Sequence, residues 1–212
     1  MRVTNWPNFV MYDVESHIAE IYDQSETYTD DVDLIRSLIA PKGFLRILEP
    51  FCGTGRILIP LALDGHELVG LDQASGMLAR AQAKVDELAA VVQKRISLLK
   101  ADVISDEWPH GFDLVVLGGN CFYELATAQE QEQCIAAAAR VLNSGGYLYV
   151  DNNHMEGELE ASWRQPGVRQ AFPTGVCDDG TRVESKTEVI WYDAPKRLVQ
   201  FRRSTRVTLP GG

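Results

Sequence analysis

No stretch of this 212-residue chain is apolar for long enough to cross a bilayer as a helix, which takes about 20 residues in a row. Met1-Arg2-Val3-Thr4 does not open a signal-peptide pattern either, so a cytoplasmic protein with no membrane partner is expected. Basic residues are scarce. Twenty Lys and Arg stand against 30 Asp and Glu, a formal charge of −10. A wide duplex-binding surface needs clustered cations to displace phosphate counterions, so nucleic acid is an unlikely partner. Arg197, Arg202, Arg203 and Arg206 form the one basic cluster. On a strand Arg202 and Arg206 share a face while Arg203 takes the other, the pattern of a solvated edge strand. The four cysteines, Cys52, Cys121, Cys134 and Cys177, include no Cys-x-x-Cys pair and no companion His at ligand spacing. Reduced thiols and no structural metal are therefore expected. Internal repeats and low-complexity segments are absent too. What remains, 45% hydrophobic and 24% charged, suits one α/β domain with a small appendage.

The informative stretch is Leu45 to Asp72. An apolar strand, Arg46–Pro50, runs into Phe51-Cys52-Gly53-Thr54-Gly55-Arg56, a helix follows, and a second strand, Glu67–Leu71, closes on Asp72. This is a βαβ nucleoside-binding pattern. Gly53 and Gly55 lack Cβ atoms, so the chain can turn sharply and let a ligand touch its backbone. The helix start presents unpaired N–H groups to the turn. Asp72, at the strand end, can accept hydrogen bonds from both hydroxyls of a ribose. The dinucleotide fingerprint would need a third glycine where Leu58 stands, and the Walker Gly-Lys-Ser/Thr ending is missing. Glu49 would repel a pyrophosphate and suits a cationic ligand better, which disfavours a nicotinamide or flavin oxidoreductase.

On these residues the chain resembles the class I S-adenosylmethionine-dependent methyltransferases. Their first motif, acidic-x-x-Cys/Gly-Gly-x-Gly, is matched by Glu49-Pro50-Phe51-Cys52-Gly53-Thr54-Gly55. The likeness continues in order through Val69 to Leu78, Lys100-Ala101-Asp102-Val103, Gly111 to Val116, and Leu142-Asn143-Ser144-Gly145-Gly146. It implies a Rossmann-like, doubly wound α/β fold with a mostly parallel sheet, helices on both faces, and S-adenosylmethionine as cofactor. It also implies roles. Glu49 faces the methionine end of the cofactor and Asp72 binds the ribose. Gln73 and Met77 line the adenine, Asp102 accepts from the adenine amine, and the Val103 backbone donates to the ring. The Gly118 carbonyl meets the cofactor's amino group, with Cys121 and Tyr123 near the methyl. Tyr22 or Tyr28 closes over the cofactor carboxylate or packs on the sheet. Arg56 pairs with that carboxylate or, repelled by the helix dipole, points to solvent.

Along the chain, residues 1–44 are expected to form a helical lid, with helices near Val14–Tyr22 and from Thr29-Asp30-Asp31 to Ile39. Residues 45–151 form the cofactor-binding core, with a helix Gly76–Ala90, strands Ile96–Leu99 and Phe112–Leu117, an alanine-rich helix Gln129–Leu142, a turn at Asn143–Gly146 and a strand Tyr147–Val150. Residues 152–212 supply a substrate loop without clear periodicity and an antiparallel hairpin, Arg182–Trp191 with Lys196–Leu209. Complete domains of the family carry a further helix and strand after such a hairpin. The chain is therefore expected either to be truncated or to close its sheet with the hairpin.

The sulfonium methyl is already activated, so alignment supplies most of the rate, while an oxygen or carbon nucleophile also needs a base. Asp151-Asn152-Asn153-His154 lies where the family places substrate and base, and His154 has a suitable intrinsic pKa. His17 on the lid helix is the other histidine of interest; His66 falls on the wrong sheet edge. The Asn/Asp-Pro-Pro-Tyr/Phe motif of amino-methylating DNA enzymes is missing, with Leu117-Gly118-Gly119-Asn120 in its place. The segment from Val150 through the hairpin is faintly similar to the glycine and sarcosine type of N-methyltransferase. The expectation is a monomeric or homodimeric methyltransferase acting on a nitrogen or oxygen of a small molecule. The alternative is a domain that binds the cofactor without turnover, as a sensor or partner-dependent subunit.

Overall fold

The computed structural model describes residues 12–152, 167–196 and 198–211. Helices α1 (Tyr12–Ser25) and α2 (Asp30–Ile39) come first. The core follows as β1 (Arg46–Pro50), α3 (Leu58–Leu63), β2 (Glu67–Asp72), α4 (Ser75–Asp86), α5 (Ala90–Gln93), β3 (Ile96–Lys100), β4 (Phe112–Leu117), α6 (Ala128–Val141) and β5 (Leu142–Val150). The five strands form one parallel sheet in the order β3-β2-β1-β4-β5. The order reverses between β1 and β4, and open α/β sheets bind ligands at the strand ends beside such a switch.

Burial explains the order. β1, β2 and β4 run nearly unbroken in apolar residues because both faces are covered. One face packs Ile47, Leu68 and Leu114 against Val32, Ile35 and Ile39 of α2 and Leu58 and Leu61 of α3. The other packs Leu48, Leu71, Phe112, Val115 and Leu117 against Cys134, Ala138 and Val141 of α6. Gly70 lets α3 sit close on β2, since a Cβ there would lie 2.7 Å from both Cys52 Sγ and Leu58 Cδ1. His66 is a structural residue. It is buried at the far end of the sheet, and its Nδ1 accepts from the Leu45 amide at 3.2 Å.

The expected fold class holds, with corrections of detail. The helix expected over Gly76–Ala90 ends at Asp86, and α5 follows as a separate turn. β5 takes in the expected turn at 143–146, with a register shift between Phe112 and Leu114 on β4. The hairpin forms as β7 (Arg182–Asp193) and β8 (Leu198–Thr208), but a third strand, β6 (Gly167–Val176), pairs with β7. These three make a sheet of their own, so among the described residues the parallel sheet ends at β5 and the hairpin does not extend it. β7 alternates as a one-sided strand must, burying Val183, Ser185, Thr187 and Val189. On its other face Glu184 and Glu188 stand opposite Arg206 and Arg202 of β8, so the basic cluster is partly matched by carboxylates across the strands.

Candidate cofactor and active site

The cleft lies at the carboxyl ends of β1, β2 and β4. Gly53 and Gly55 both have left-handed backbone, φ +53° and +79°. A Cβ on Gly53 would meet nothing within 4 Å, because that position opens into the cleft. Among the described residues two non-glycines share the left-handed region, Phe51 and Asn120, each at φ 62°. Phe51 leads the turn after β1 and Asn120 the turn after β4. Such strain, of order 1–3 kcal/mol per residue, collects at binding sites.

Asp72 holds the turn from below. Its Oδ2 accepts from the Gly53 amide and its Oδ1 from the Ala74 amide, both at 2.8 Å. Burial raises its pKa while the amides of Ala74, Gly53 and Gln73 work the other way. A carboxylate has about four acceptor sites, so these amides still leave room for a ribose hydroxyl. Hydrogen bonds to charged groups are worth roughly 1.5–3 kcal/mol. Asp72→Ala is expected to weaken nucleoside binding about tenfold to a hundredfold by titration calorimetry. An unchanged affinity in folded protein would remove Asp72 from the site.

Beside this turn sits a cavity of about 290 Å³ lined by Phe51, Gln73, Asp102, Val103, Ile104 and Leu125, among others. Its lining mixes apolar side chains with the polar Gln73 and Asp102, a suitable berth for a purine. Asp102 is exposed there, and its Oδ1 accepts from the Ile104 amide at 2.9 Å, which shapes the loop. Val103 is buried, its carbonyl accepting from Trp108 Nε1 at 3.1 Å. Met77 is half-buried on the first turn of α4 and does not line this cavity. The Gly118 carbonyl accepts from the Cys121 amide at 3.3 Å, and a Cβ at Gly118 would stand 2.5 Å from Ile57. Cys121 is buried, whereas the side chain of Tyr123 and all of His154 lie outside the described residues.

At the other end of the cleft is a group of charges that short-range sequence patterns did not show. Glu49 is 5% exposed. Its carboxylate takes a hydrogen bond from the Leu58 amide, but its Oε2 has no partner among the described residues. Burial pushes its pKa well up, Arg56 opposes this, and Asp31 and Asp72 add to it. Arg56 does not point to solvent. Its side chain is 12% exposed and forms a two-pronged pair with Asp31, at 2.6 and 2.8 Å. Its guanidinium also lies 4.2 Å from the centre of the Tyr28 ring and bonds the Tyr28 hydroxyl at 3.1 Å. Tyr22 bonds Arg56 as well, and burial raises its pKa. Asp31 was legible only as a first-turn acid of α2; folding turns it inward to 8% exposure. Asp23, also unforeseen, ties α1 over the turn. It accepts from Thr54 Oγ1 at 2.5 Å and from Arg80 and Lys84 at 2.9 Å each. Burial alone would raise its pKa, but these partners outweigh it and hold it low.

Residues 47–146 match a family model described as a methyltransferase domain. A glycine/sarcosine N-methyltransferase of Parasynechococcus marenigrum is 30% identical over 176 residues, 81% of this chain and 57% of that protein. A ubiquinone biosynthesis O-methyltransferase of Pseudomonas putida is 26% identical over 79% of this chain and 68% of its own length. Among solved structures, the CcbJ methyltransferase of Streptomyces caelestis superposes with a TM-score of 0.61 at 18% identity, covering 92% of this chain and 78% of that one. The fold, the ordered motifs and these matches agree. Residues 47–146 match a methyltransferase domain, and the fold, the ordered motifs and the relatives support one of the class I S-adenosylmethionine-dependent type. The chain spans little more than half of the first of these relatives and about two thirds of the second.

Proposed function

We propose that the protein transfers the methyl group of S-adenosylmethionine to a nitrogen or oxygen of a small-molecule acceptor. One observation carries the reading: the charge balance of the cleft. Glu49 has two anionic neighbours, Asp31 and Asp72, and one guanidinium, that of Arg56, which Asp31 already engages. A site with excess carboxylate at close quarters favours a ligand carrying a sulfonium and an ammonium and rejects a pyrophosphate. Bound there, S-adenosylmethionine supplies a methyl group that is already a good electrophile.

The chain's own part is to hold and to exclude. Asp72 and the Gly53 turn fix the ribose, and the Phe51–Val103 cavity takes the adenine. Glu49 receives the ammonium, and Tyr22 on α1 covers that end. α1, pinned by Asp23, keeps water from the reacting centre. On the acceptor side Asp151, at the end of β5, bonds the Asn120 amide at 3.3 Å and accepts from the Tyr149 hydroxyl at 3.3 Å. His154 stays the proposed base for a hydroxyl acceptor; a neutral amine needs only alignment. The N- and O-methylating relatives support both acceptor types. Residues 1–44 then act as lid, and a monomer or homodimer in the cytoplasm is the proposed setting.

Incubation with S-adenosylmethionine and a panel of small amines, amino acids, phenols and sugars, followed by assay of S-adenosylhomocysteine, tests this reading. Acceptor-dependent product is expected from one chemical class. Cofactor binding with no product from any class would instead mark a binding domain.

A further inference from the structure

Away from the cleft, the first helix and the β6–β7 turn bring together three side chains that are far apart in sequence. His17 and Glu20 lie one turn apart on α1, and Cys177 opens the turn that follows β6. Their ligand atoms all lie within 4.8 Å of one another. We propose that His17, Glu20 and Cys177 form a zinc(II) site that ties the lid helix to the β6–β7 turn.

The geometry is close to that of a coordination sphere. Zinc bonds of about 2.3 Å to sulfur and about 2.05 Å to nitrogen, at the tetrahedral angle, place the two ligands about 3.6 Å apart. Cys177 Sγ stands 3.7 Å from His17 Nδ1. A sulfur, an imidazole nitrogen and a carboxylate together suit zinc better than magnesium or calcium, which take oxygen alone. The ligands are also held. Cys177 is fixed through its backbone, its amide donating to Thr181 O at 2.8 Å and its carbonyl accepting from Gly180 at 2.9 Å. The Glu20 Oε1 accepts from the Asp178 amide, which orients the carboxylate as a second shell would. Three protein ligands leave the fourth position to water.

The electrostatics run the same way. The Cys177 thiol has the carboxylates of Glu20, Asp178 and Asp179 around it. A dication would convert it to thiolate, release its proton to solvent and offset the surrounding carboxylates. The cysteine spacing concealed this because its partners lie 160 and 157 residues earlier. His17 lies about 9 Å along the helix from Asp23, so the ion would brace the middle of α1, ahead of the residue that reaches the cofactor turn.

The test is titration of chelator-stripped full-length protein with cobalt(II) and zinc(II). One equivalent of cobalt is expected to give a near-ultraviolet thiolate charge-transfer band that zinc displaces. Zinc should raise the unfolding midpoint by several degrees. Losing an outer-shell partner weakens metal binding about tenfold to a hundredfold, so losing a ligand should cost more than about a hundredfold. Cys177→Ser is expected to abolish the band, and His17→Gln and Glu20→Gln to weaken zinc binding. Each variant is checked for folding by circular dichroism and by binding of S-adenosylhomocysteine. Zinc binding of equal affinity in wild type and Cys177→Ser, or no stoichiometric binding by wild type, would overturn the site. Cys177 would then be a packing residue beside Ile21 and Val183.

Discussion

Glu49→Gln is expected to raise the unfolding midpoint of the ligand-free protein and to weaken S-adenosylmethionine binding. Both effects come from one buried carboxylate whose Oε2 has no partner among the described residues. Leaving such a group desolvated costs about 1–3 kcal/mol. Removing its charge should return a good part of that, and each kcal/mol moves the midpoint of a domain this size roughly 2–4 °C. The ligand's ammonium loses its counter-charge in the same exchange, an expected loss of about tenfold to a hundredfold in affinity.

The pH dependence follows from the raised pKa. Unfolded, Glu49 ionises in its ordinary range; folded, it holds its proton to higher pH. Between the two values the native state binds more protons, so its stability falls as pH rises. That contribution is complete below the unfolded pKa and lost as pH passes the folded one. Affinity for the cationic ligand should rise over the same window, since ionised Glu49 is the form that receives an ammonium. In Glu49→Gln both slopes should flatten. Unfolding scans and calorimetry across a pH series measure them. A mutant that is less stable than wild type at every pH would show that Glu49 is satisfied in the fold.

Arg56→Ala is expected to be the most destabilising single change at the site. Arg56 and Asp31 are 12% and 7% exposed and share two short hydrogen bonds. Removing one partner of a buried pair typically costs about 3–5 kcal/mol, because the other charge stays buried alone. Here the stranded carboxylate would also lie near Glu49, whose pKa Arg56 normally lowers. A drop in the midpoint of roughly 6–20 °C follows. Asp31→Asn combined with Arg56→Ala should recover part of it, and a double-mutant cycle isolates the coupling. Additive losses would mean that the two side chains act separately, with Arg56 holding the lid through Tyr28 and Tyr22 alone.

The parts legible in the sequence were those whose physics is local. A strand, a glycine turn, a helix and a strand ending in Asp72 lie within 28 consecutive residues, so pattern and pairing agree. The hairpin was legible because β7 alternates. β6 was not: Gly167–Val176 carries Pro173 and Gly175 without alternation, and its pairing with β7 breaks register between Ala171 and Gly175. What makes it a strand is a neighbour already in place. Leu34 and Leu38 followed helical spacing with Ile35 and Ile39, yet they are half exposed, because α2 buries the Val32–Ile35–Ile39 side instead. The fate of Arg56 turned on Asp31, 25 residues earlier, and helix-dipole reasoning cannot see a carboxylate delivered by another helix. Asp23 with Thr54, Arg80 and Lys84 is the same case.

The central claim is that the cleft at the ends of β1, β2 and β4 binds S-adenosylmethionine. Thermal unfolding with S-adenosylmethionine, S-adenosylhomocysteine and NAD tests it most directly. A ligand at about 100 times its dissociation constant adds roughly 2.7 kcal/mol to the folded state, a rise of several degrees. The account predicts that rise with both adenosyl compounds and none with NAD. A rise with NAD alone, or with none of the three in folded protein, would contradict it.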